Sequence, residues 1–225
     1  MENTQDIYPE IPIHKAMRLM GIRKENTLSK KTHGKLKKYI KVTHETMTPQ
    51  LVHTAKEIKE INQGGVLIDE HISFMSTHLA DALQGSEELI FFIVTIGDAI
   101  DGKIRGLMDR GKIADAYILD AIGSAAVEEA AENFQREYGA KLSSAGKGTT
   151  LRFSPGYCDW DIKEQKKIFS ILDAEQASVT LNSKYKMEPS KSVSGAFGIT
   201  QKENTSNGPV NPCKSCGLKS CMARR

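Results

Sequence analysis

Seven consecutive residues, Arg152-Phe153-Ser154-Pro155-Gly156-Tyr157-Cys158, combine a fixed cation, a tight turn, an aromatic ring and a thiol. The guanidinium of Arg152 is permanently charged, and its planar fork matches a carboxylate through two hydrogen bonds. Pro155-Gly156 forces a sharp turn where backbone groups can approach a ligand closely. Tyr157 adds a flat apolar face with a hydroxyl at its tip. An arginine, exposed backbone and a ring suit a ligand that carries a carboxylate and a ring system. The plain alternative is a structural loop with a surface arginine.

The second reactive group is sulfur. The chain has four cysteines. Cys213, Cys216 and Cys221 follow a C-x2-C-x4-C spacing, and Cys158 is available as a fourth ligand. Four thiolates suit tetrahedral zinc or an iron–sulfur cluster. Zinc would pin the tail over the turn, whereas a cluster would give an electron a route. A polar tail with unligated thiols is the competing reading. A c-type haem is not expected, because Gly217 and not histidine follows Cys216. The six histidines are scattered, so His71 and His78 are weak metal candidates.

These residues need elements to position them. Ile11–Met20 predicts a short helix stopped by Gly21. The lysine-rich stretch after it has no apolar periodicity and is expected to stay exposed. From Pro49, the spacing of Leu51, Ala55, Ile58 and Ile61 predicts a helix ending at Gly64-Gly65. Val66–Ile68 and Leu89–Ile96 predict strands, the second apolar enough for a sheet interior. Asp98 is positioned to cap a helix running to about Arg110. A long helix is predicted from Ala114 to Tyr138, its Ala and Gly residues allowing close approach by a neighbour. Residues 139–148 read as a flexible link. Thr149–Phe153 reads as a strand, Asp161–Leu172 as a helix, and 179–181 and 192–199 as further strands. Trp160 is expected to pack. The Asp98 and Asp101 carboxylates are expected to flank a helix start.

The pattern gives an α+β domain with a mostly antiparallel sheet and packed helices, plus a Cys-rich carboxyl tail. The expected units are a mostly helical 1–64, an α+β domain over 65–202, and a tail over 203–225. With 39% hydrophobic and 26% charged residues, the 225-residue chain suits one sizeable core. No apolar run approaches a membrane span. MENTQDIYPE lacks a basic region followed by an apolar one, so the expected location is the cytoplasm. A net charge of +3 is too weak to imply nucleic acid. The charge is concentrated, however, between Arg23 and Lys41, which fits a solvated face or a dock for an acidic protein.

The RxxxGY pattern at 152–157, followed by SVSG at 192–195, resembles the activation domain of cobalamin-dependent methionine synthase. DAYILDAIGSAAVEEAAENF (115–134), the 168–172 helix, Leu181 and Met187-Glu188-Pro189 extend the resemblance. It implies a helmet-like domain that binds S-adenosylmethionine in a shallow groove over a cobalamin. Arg152 would hold the methionine carboxylate, and the backbone of Phe153, Ser154, Pro155 and Gly156 would contact the ligand. Tyr157 would lie near the methyl group. Glu132, or alternatively Glu128, would hold the ligand's polar groups. The family's role is to restore methylcobalamin from the inactive cob(II) state, with an electron from a flavodoxin- or ferredoxin-type donor. The DxHxxG-type corrinoid-binding motif is absent, so the resemblance implies action on a separate corrinoid protein or core methionine synthase. The competing reading keeps ligand binding as a regulatory signal, or makes the chain a metal-stabilised interaction module without turnover.

Overall fold

The computed structural model describes residues 7–22 and 28–201. It opens with helices α1 (Ile13–Leu19) and α2 (Lys30–Thr46), followed by strands β1 (Gln50–Glu57), β2 (Glu60–Asn62), β3 (Gly65–Leu67) and β4 (Ser73–Met75). Next come α3 (Thr77–Ala82), β5 (Ser86–Thr95), α4 (Ala99–Asp109), α5 (Ile113–Ser143) and β6 (Lys147–Thr149). The remainder is α6 (Gln165–Ile171), β7 (Thr180–Leu181), β8 (Met187–Glu188) and β9 (Ser192–Gln201), with short 3-10 turns at Ile162–Glu164 and Ala174–Ala177. Among the described residues no helix is long and apolar enough to cross a membrane.

The main sheet is antiparallel with strand order β1-β5-β9-β6. β5 lies inside it, and side chains alternate across a strand, so its apolar run feeds two cores. Ile90, Phe92 and Val94 face a layer built from α1, α2, α4 and α5. Leu89, Phe91 and Ile93 face the opposite layer, which contains α3, α6 and the small β2-β3-β4 sheet. Burial on both faces explains why β5 is continuously apolar rather than alternating.

α5 buries Ala116, Ala121, Ala125, Ala126, Ala130 and Ala131. Their small side chains let the helix lie close to both the sheet and its neighbouring helices, while Phe134 adds bulk against Phe92 and Phe197. Gly146, at φ 71°, turns the chain after α5. The expected flexible link therefore shrinks, because α5 runs to Ser143 and β6 begins at Lys147.

Two further expectations change. Residues 50–57 form β1 and not a helix: they pair along their whole length with β5, Leu51 opposite Val94 and Ala55 opposite Ile90. Val52 and Thr54 suit a strand, and pairing overrides the coincidental helical spacing. The lysine-rich segment forms α2, with Ser29 capping it by accepting a hydrogen bond from Thr32 N at 3.1 Å. Leu36, Tyr39 and Thr43 point inward and bury one face, while the lysines remain outside as expected.

β9 needs glycine at two places. A Cβ on Gly195 would stand 2.7 Å from Phe153 O and 2.8 Å from Ser154 Oγ. One on Gly198 would stand 2.3 Å from Ser86 Oγ. The first contact lays the Arg152–Cys158 turn directly against the sheet.

Candidate functional site

Phe153 fixes the start of the turn. Its N–H donates to Ala196 O, and its carbonyl accepts from Ala196 N, both at 2.8 Å. The turn closes through Tyr157 N donating to Ser154 O at 3.2 Å and Gly156 N donating to Trp160 O at 2.7 Å. Gly156 has φ 91°, a left-handed value that glycine adopts without strain.

The far end is fastened by Asp159 and Trp160. The Asp159 carboxylate accepts from Ser76 Oγ at 2.5 Å, and from Thr77 N and Thr77 Oγ1 at 2.7 Å. His78 Nδ1 lies 3.1 Å away. Burial opposes charge on this carboxyl, but the hydrogen bonds and the His78 charge hold it well below the usual carboxylate range. The turn is thereby tied to the amino end of α3. Trp160 is 1% exposed, stacks on Phe153 and meets Phe74 edge-on. Its indole N–H is buried without a hydrogen-bond partner among the described residues. Between these anchors Tyr157 stands 39% exposed, with Cys158 exposed beside it at φ 51°.

Arg152 is 7% exposed and forms an ion pair with Glu128 of α5. Its Nη1 also donates to Glu128 O at 3.4 Å. Of the two acids offered by the sequence, Glu128 meets the arginine. Glu132 instead pairs with Lys15, which also reaches Glu129 at 2.5 Å. Burial works against the charge on Lys15, but its two carboxylate partners outweigh burial and raise its pKa.

Asp120, Ser124 and Glu128 recur every fourth residue and so share one stripe of α5. Lys191, only 5% exposed, donates to Asp120 Oδ1 at 2.6 Å and to Ser124 Oγ at 3.1 Å. Two buried cations, Lys191 and Arg152, are thus matched along the helix by two partly exposed carboxylates. The sequence reading missed Lys191, Asp120 and Asp159. The four-residue repeat of polar groups in an otherwise Ala-rich helix was the signal available for Asp120.

A cleft of about 890 Å3 opens at the start of α4, beside this stripe and not at Arg152. Asp98, Asp101, Arg105 and Asp120 are among its lining residues. Asp101 has a structural task, accepting from Ser190 N at 2.7 Å and Ser190 Oγ at 2.6 Å. Asp98 stands at the start of α4 as expected, but the expected side-chain cap is not formed.

Among the described residues no three His, Cys, Asp or Glu side chains gather into a metal-binding group. Cys213, Cys216 and Cys221 lie outside the described residues. The arrangement at the turn can hold a zwitterion: a buried cation and a partly exposed carboxylate stand together, next to a fixed turn and an exposed ring.

No curated protein sequence matches the chain. A solved structure, the MetH reactivation domain crystallised with AdoHcy, shares the fold at a TM-score of 0.59 and 15% identity, covering 88% of this chain and 75% of that one. The profile described as vitamin B12 dependent methionine synthase, activation domain, matches residues 70–206. With that match spanning β5, β6 and β9 of the main sheet, the long helix and the arginine turn, the chain belongs to the methionine synthase activation-domain family.

Proposed function

We propose that the chain binds S-adenosylmethionine and supports reductive methylation of a cobalamin carried by a separate corrinoid protein. The observation that carries this reading is the Arg152–Glu128 pair set beside the turn. An α-amino acid head presents one carboxylate and one ammonium. It can take Arg152 with the first and Glu128 with the second, leaving neither protein charge unmatched. The structural relative's AdoHcy carries the same head group.

The backbone of Phe153, Ser154, Pro155 and Gly156 borders the ligand, held by the bonds to Ala196 and Trp160. The exposed Tyr157 ring would cover the sulfonium end of the ligand and keep water away from it. When bound, S-adenosylmethionine supplies an electrophilic methyl, and reduced cobalamin the nucleophile that receives it. The protein's part is orientation and exclusion, which requires no general base. An electron donor of the flavodoxin or ferredoxin type completes the proposal.

Calorimetric titration of S-adenosylmethionine into protein purified without oxygen tests the site. Arg152→Ala should weaken one-to-one binding by about 2–5 kcal/mol, the order seen when one partner of a buried charged pair is removed. Glu128→Gln should weaken it measurably, while Glu132→Gln leaves it unchanged. Equal affinity in the wild type and Arg152→Ala would remove the carboxylate clamp. Turnover is read separately, as methylcobalamin formed on a purified corrinoid protein under reducing conditions.

A further inference from the structure

Among the described residues seven large apolar side chains stand exposed, and three of them, Met108, Ile113 and Tyr117, fall where α4 turns into α5. Each of the three is more than half exposed. Ile113, Tyr117 and Asp120 follow one another at helical spacings, which places them on one face of α5. Arg105 and Met108 are neighbours on α4 in the same way. Asp120 and Arg105 both line the cleft of about 890 Å3. The apolar shoulder therefore continues the wall of the cleft.

The cleft is acidic. Asp98, Asp101, Asp120 and Glu188 line it against Arg105, with Lys191 buried behind Asp120. Asp101 engages Ser190 through both oxygens. Asp120 is bonded through Oδ1 and Glu188 through Oε1, which leaves each a second oxygen. The Asp98 carboxylate forms no cap bond, and it has no ion-pair partner among the described residues. The other cations of the hairpin stand elsewhere. Arg110 acts on the Tyr39 hydroxyl and Lys112 on Asp115, both on the α2 side. Lys103 lies about 200° around α4 from both Asp101 and Arg105.

Such a cleft repels nucleic acid and anionic lipid. A small organic cation would match its charge but leave the shoulder bare. A segment with basic residues along one side and apolar residues along another meets both surfaces at once. We propose that the cleft and shoulder dock a basic amphipathic helix of a protein partner. Its Lys or Arg side chains face Asp98, Asp120 and Glu188, and its apolar stripe covers Met108, Ile113 and Tyr117. Methionine adapts to the shape it meets, and tyrosine supplies a rigid anchor. Asp120 stands about 12 Å from Glu128 along α5, so this surface is separate from the Arg152 turn.

The probe is a fluorescein-labelled helical peptide of leucine and lysine, titrated with the full chain and followed by fluorescence anisotropy. A leucine–glutamate peptide of the same pattern is the comparison. The chain's net charge of +3 gives a cationic peptide no general attraction, so binding reads a local surface. We expect saturable binding of the lysine peptide and none of the glutamate peptide. Asp98→Lys and Tyr117→Glu should each weaken binding at least about fivefold. Asp81→Lys, the same charge change on α3 in the opposite layer, should alter it less than about twofold. All three positions are exposed, and circular dichroism checks that helix content is kept. No saturable binding of the lysine peptide, or equal affinity in the wild type and either cleft-side variant, would overturn the proposal. So would full displacement of the peptide by spermidine at equal positive charge, which would assign the cleft to a small cation. Dimerisation of the chain that is lost in Tyr117→Glu would assign the shoulder to a second copy and overturn it too. S-adenosylmethionine should bind the variants as it binds the wild type, so failure of docking and failure of the ligand site are read separately.

Discussion

Burying a guanidinium is tolerable only with its charge answered, and Glu128 answers it for Arg152. The chemistry of Arg152, Gly156 and Tyr157 was legible in the sequence because residue types alone define it. The choice between Glu128 and Glu132 was not: both lie on α5, and only the placement of α1 takes Glu132 to Lys15. Asp159 was equally hidden, since its partners Ser76, Thr77 and His78 are distant in sequence. It does for the turn what an N-cap does for a helix. Because its carboxyl is held low in the folded protein, its contribution is complete at neutral pH and is lost as pH falls below about 4. Asp159→Asn should therefore destabilise by about 1 kcal/mol at pH 7. The difference in Tm from the wild type should begin to shrink below about pH 4 and narrow further as the pH falls; a constant difference would assign Asp159 no charge-dependent role.

Among the elements, β5, α4 and α5 were readable because long or strongly apolar segments declare themselves. β1 and α2 were misread for opposite reasons. β1 owes its form to pairing with β5, which no local window contains. α2 owes its stability to three inward residues hidden among lysines. β9 links element to site. Gly195→Ala would push a Cβ into Phe153 O and Ser154 Oγ, at a cost of about 1–3 kcal/mol, and should also weaken S-adenosylmethionine binding by shifting the turn. Gly198→Ala clashes with Ser86 and Leu83 at the other end of the strand. It should lower Tm while leaving ligand affinity alone. Calorimetry on both variants separates the two roles, and an equal loss of affinity would refute the link between Gly195 and the turn.

At the scale of the whole molecule, one sheet serves as the floor of two cores. Phe91 and Phe92 are neighbours in sequence but point into opposite layers. Phe91→Ala and Phe92→Ala should each cost about 3–5 kcal/mol and lower the midpoint of a single thermal transition. Two separated transitions would mean that the layers unfold independently. The α+β class was foreseeable from composition and apolar runs, whereas the division into layers came only from strand order. Trp160 gives this architecture a practical consequence. It is the chain's sole tryptophan, so all indole fluorescence originates between Phe74 and Phe153, at the root of the ligand-facing turn. Blue-shifted emission, shielded from acrylamide, reports a seated turn, and a red shift reports its lifting. The protein therefore carries a label-free optical gauge of its own binding loop.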